Sequence, residues 1–131
     1  MEAYSKHSVC QDSLDDLIVD FVRGREHVSF PELIREVEQA GWPARGDWAV
    51  TTGKNSHILF WAGLSDALYF SILRLIRTQR LYFHPSYELI YLLQGEMAPL
   101  PIATRHDHST DHWVPVVLSS FPFRGKREGA A

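Results

Sequence analysis

The stretch Leu64 to Phe83, LSDALYFSILRLIRTQRLYF, constrains this chain more than any other. Ser65 stands as an N-cap, and Leu68, Ile72, Leu75 and Ile76 recur at i, i+4, i+7 and i+8, the spacing of one helical face. From Leu81 to Phe83 the pattern changes to a strand-favouring run. A helix with a single apolar stripe has to lay it on another element, so this segment demands a packed core. The length of 131 residues and a hydrophobic content of 45% supply one such core and one domain.

Two further helices precede it. Leu14, Leu17, Ile18, Phe21 and Val22 share a face, with Ser13 or Asp12 as the expected cap, Asp15 and Asp16 in the first turn and Gly24 as the stop. Asp12, Asp16 and Asp20 line the opposite, solvated side. The second helix opens on Ser29 and Glu32, the two positions of a capping box, flanked by Val28 and Leu33 as a hydrophobic staple. It is predicted to run to about Ala40 and to end at Gly41, Trp42 and Pro43.

Strand signals fill the rest. Asp47 to Thr51 and His57 to Ala62 read as a hairpin around the turn 52–56, and Ile58 to Trp61, apolar on both faces, belongs inside a sheet. Leu81 to Phe83, Glu88 to Leu93 and Met97 to Ile102 follow as apolar runs, the last two joined by Gln94, Gly95 and Glu96. Pro99 and Pro101 confine the last of these to an edge or an irregular extended segment, and Pro115 interrupts a final run from Trp113 to Leu118. The expected fold is α+β: three helices packed on a small, mainly antiparallel sheet, spanning residues 12–123 between a flexible polar lead, 1–11, and a flexible tail, 124–131. Its predicted core includes Leu17, Phe21, Leu33, Val37, Leu59, Leu68, Ile72, Leu75 and Ile90.

This order of elements, over about residues 13–103, resembles the winged helix-turn-helix domain, with a hairpin of about twenty residues where that family has a turn of about three or four. The resemblance implies that helix 65–80 reads DNA, with Ser71, Arg74, Arg77 and Thr78 facing the groove and Arg80 beside them, and that Gln94 to Glu96 form the wing tip. Charge is divided along the chain. Residues 1–41 hold nine acidic and four basic residues, whereas 64–83 hold three arginines against Asp66, within a net charge of −3.

Chemistry-bearing residues gather in RHDHSTDHW, where His106, His108, His112, Asp107 and Asp111 are donor types that suit Zn²⁺ or another divalent ion. Their spacing matches no catalytic signature, and Ser109 and Thr110 favour a polar turn, so no cofactor is expected. A nucleophile elbow, a P-loop and a dinucleotide fingerprint are all missing. Cys10, with His7 nearby, is the single cysteine, which excludes an internal disulfide and points to the cytosol. No apolar window has the roughly 18 residues that a bilayer span needs. The sequence thus favours a non-enzymatic binding protein whose partner is DNA or another protein, with a metal-dependent enzyme as the third reading.

Overall fold

The structure, a computed structural model, describes residues 2–124. The expected tail beyond Arg124 lies outside the described residues. The chain is α+β, as its patterning required. Its elements are α1 (Glu2–Arg25), α2 (Phe30–Gln39), β1 (Arg45–Thr51), β2 (Ile58–Leu64), α3 (Asp66–Arg77), β3 (Tyr82–Pro85), α4 (Glu88–Leu93), β4 (His112–Trp113) and β5 (Val116–Ser119).

Helix α1 differs from expectation at both ends. Neither Pro nor Gly occurs between Glu2 and Arg23, so nothing interrupts the ladder, and the helix already runs where 1–11 was read as a polar lead. Asp12, Ser13, Asp15 and Asp16 are therefore interior, not capping, positions. Gly24 does not stop it either. The turn comes at Glu26 and His27, both at φ 54°, a left-handed region that costs a non-glycine residue about 1 kcal/mol or more. Tertiary bonds hold it: the Glu26 carboxylate accepts from the Ser120 N–H at 2.8 Å and from the Ser120 hydroxyl, and the His27 N–H donates to Ser119 Oγ at 3.1 Å.

Helix α2 starts as predicted. Ser29 Oγ accepts from the Glu32 N–H, and Glu32 Oε1 accepts from the Ser29 N–H at 2.9 Å, a reciprocal cap worth ~1 kcal/mol. Val28 and Leu33 are both buried.

The predicted hairpin forms, and β2 is the central strand of a three-stranded sheet ordered β1-β2-β4, antiparallel to β1 and parallel to β4. A separate ribbon pairs β3 with β5 in antiparallel fashion, Phe83 opposite Leu118. Pro115 explains why Trp113 to Leu118 divides between two sheets, since it offers no N–H to continue a ladder. Gly46 sits where β1 passes the start of α3. A Cβ there would lie 2.9 Å from Leu64 O and Ser65 Cα, so only glycine fits without a shift.

The largest correction is Glu88–Leu93, expected as a strand and found as the fourth helix. A run of Leu, Ile and Tyr is as compatible with a helical turn as with a strand, and the helix sets Tyr91 against Trp61 and Trp113. Met97–Ile102 has no hairpin partner and takes the irregular course that Pro99 and Pro101 allow, apart from one bridge between Ile102 and Trp113. The core changes with it: Ile90 is 38% exposed, and Tyr91 is fully buried in its place. Tyr91 stacks on Trp61 with centroids 5.2 Å apart and meets Trp113 edge-on at 5.0 Å, while Trp61 stacks on Phe30 at 6.0 Å. Around this cluster lie Leu33, Val37, Leu68, Ile72 and Leu75 as predicted. On α1, Leu14, Ile18 and Val22 take the centre of the stripe, leaving Leu17 and Phe21 half-buried.

Candidate binding surfaces

Helix α3 was expected to present Ser71, Arg74, Arg77 and Thr78 on one open face. That face does not form. Helix α1 packs against α3, and Asp15, buried there, receives the Ser71 hydroxyl together with two N–H groups of Arg74 at 2.8 Å each. Ser71 is fully buried. Thr78 is the C-cap and returns its hydroxyl to the Arg74 carbonyl at 2.8 Å, and Arg80 reaches Asp16 at 3.5 Å. Arg77 is exposed. Sequence periodicity had placed Asp15 near a helix start. Its role as the acidic partner of α3 became visible only when the two helices were packed.

The proposed wing tip has other work. Gln94 closes α4 and accepts from Arg35 at 2.6 Å, and Glu96 lies 3.7 Å from Arg45.

In the histidine segment two rings meet, but among the described residues no third donor joins them. His108 is buried, with Nε2 accepting the Thr104 N–H at 3.0 Å and its ring stacked on His112 with centroids 3.5 Å apart. His112 Nδ1 donates to the Thr110 carbonyl at 2.7 Å, while Asp111 pairs with His57 at 2.9 Å. His106 is exposed and Asp107 pairs with Arg105 at 2.7 Å. Among the described residues no group of three His, Cys, Asp or Glu side chains is placed to hold a metal ion. The side chains of Cys10 and His7 lie outside the described residues. Burial, reinforced by His112 and Arg105 against the pull of Asp107, holds the His108 imidazole below its usual range.

Two surfaces that the sequence did not announce stand out instead. Helix α4 buries Tyr91 and turns most of its other apolar side chains outward: Leu89 is 57%, Leu92 60% and Leu93 73% exposed, beside Tyr87 at 78%. The signal was present, because five apolar residues in ELIYLL exceed what one short helix can bury. The second surface is a cleft of about 640 Å³ between the β1–β2 turn and the segment 103–106. Lys54, Arg105 and His106 stand around it, and Ile58, Ala103 and Val114 form its apolar part. Asn55 ties the two walls together, its Nδ2 donating to the carbonyls of His106 and His108 at 3.0 Å each.

Among the described residues no helix is long and apolar enough to cross a membrane. Comparisons of this chain with protein-family models, with curated proteins and with solved structures give no match.

Proposed function

We propose that this protein is a non-enzymatic interaction module that docks through α4, and that the occupant is a second copy of the same chain. The observation that carries the reading is the outward apolar ridge Tyr87, Leu89, Leu92 and Leu93, joined by Ile90 and Met97. Each of the four ridge side chains is more than half exposed, and apolar side chains gathered on one exposed helix mark an interaction surface. A short convex helix pairs readily with its own copy across a two-fold axis, which brings the same ridge to both sides of the contact. DNA reading by α3 draws less support, because Ser71 and Arg74 are engaged by Asp15 and Arg80 by Asp16.

Sedimentation equilibrium on the wild type and on the Leu89→Ser/Leu93→Ser variant tests this. The wild type should be dimeric and the variant monomeric, with unchanged circular dichroism, since exposed substitutions perturb folding little. A wild type that stays monomeric up to roughly 100 μM, or a variant that still dimerises, overturns the reading.

A further inference from the structure

We propose that the cleft between the β1–β2 turn and the segment 103–106 binds a small organic anion, a molecule with an apolar body and a single carboxylate, sulfonate or phosphate head. This site is separate from α4 and does not depend on self-association. Its volume, about 640 Å³, lies within the range of small-molecule sites. The body would lie on Ile58, Ala103 and Val114, where β2 and the strand pair β2–β4 give a firm floor: Ile58 pairs with His112, and the Val114 N–H donates to the Leu59 carbonyl at 2.9 Å.

The head would meet Lys54 and Arg105. No carboxylate is among the side chains lining the cleft in the described residues, although the chain as a whole carries a net charge of −3. Lys54 has no ion-pair partner among the described residues, and Arg105 engages Asp107 through Nε, leaving the two terminal nitrogens of its fork for a ligand. Thr52 is spent on the turn itself, its Oγ1 accepting the Asn55 N–H at 3.2 Å. Both walls are fixed before any ligand arrives, because Asn55 bonds across from one to the other, so little ordering cost opposes binding. The concave shape and single cationic rim suit a free small molecule better than a flat anionic surface.

The probe is 8-anilinonaphthalene-1-sulfonate, titrated by fluorescence alongside its uncharged relative N-phenyl-1-naphthylamine. Wild type should bind the sulfonate saturably at one site. Lys54→Glu/Arg105→Glu should weaken it by roughly tenfold or more, and the uncharged compound should bind weakly to both proteins. Lys54→Ala, which leaves the turn backbone intact, should give a smaller loss in the same direction, and thermal melts should confirm that all variants fold. Absence of saturable binding overturns the proposal. So does affinity indifferent to both charge changes, or sulfonate binding abolished by Leu89→Ser/Leu93→Ser, since the dye then sits on α4.

Discussion

Arg74 grips Asp15 through two parallel contacts, Nε to Oδ2 and Nη2 to Oδ1, each 2.8 Å, and so bolts α3 to α1 across the core boundary. Asp15 keeps 8% of its side chain accessible and Arg74 37%, so the pair is dry on one side and wet on the other. Removing Arg74 would take the bidentate donor from a buried carboxylate, and removing Asp15 would take the acceptor from the buried Ser71 hydroxyl. Asp15→Ala should therefore destabilise the fold by about 2–4 kcal/mol, and a double-mutant cycle with Arg74→Ala in urea should return a favourable coupling energy. Additive single losses would show that the contact contributes nothing to stability.

Tyr91→Phe removes a hydroxyl that donates to the Val116 carbonyl at 2.6 Å and accepts the Phe30 N–H at 3.3 Å. Two buried backbone groups would lose a partner while the ring packing stays. A loss of about 1–3 kcal/mol is expected from chemical denaturation. Burial raises the Tyr91 phenol above its ordinary range, so the folded protein keeps it neutral while the unfolded chain ionises it. The unfolded state then holds fewer protons, and stability should fall as pH rises above about 10, with a smaller fall in Tyr91→Phe.

For His108 the sign is reversed. Its folded-state affinity for a proton is lowered, and Nε2 must stay unprotonated to accept the Thr104 N–H. The unfolded chain takes up a proton near the ordinary histidine value, about 6.5, so stability should drop as pH falls through that value. Urea midpoints measured between neutral and mildly acidic pH should decline more for wild type than for His108→Gln. Equal slopes would remove His108 as the cause.

Zinc titration calorimetry should find no sub-micromolar site in the segment from His106 to His112, because His108, His112 and Asp111 are each turned toward a different partner. Stoichiometric zinc retained through chelator would refute this.

Arg77 is the exposed arginine of α3, and it supplies the direct check on DNA reading. Titration of labelled duplex at low and moderate salt should show weak binding that is insensitive to Arg77→Ala. Tight, steeply salt-dependent binding lost in Arg77→Ala would restore α3 as a reading helix.

What the sequence determined alone is everything that depends on neighbours in the chain. The Ser29–Glu32 box, the Ser65 cap, the apolar stripe Leu68, Ile72 and Leu75, and the hairpin around 52–56 all rest on contacts within a few residues, where spacing is geometry. Three features needed the tertiary structure. Asp15 reads in the sequence as a first-turn acid, and only the approach of α3 made it a buried partner of Ser71 and Arg74. The run ELIYLL suited strand and helix alike, and as α4 it sets Tyr91 against Trp61 and Trp113. The turn at Glu26 and His27 carries no glycine signal, since bonds to Ser119 and Ser120, more than ninety residues away, hold it. In each case local preference left two states close in energy, and a long-range contact chose between them.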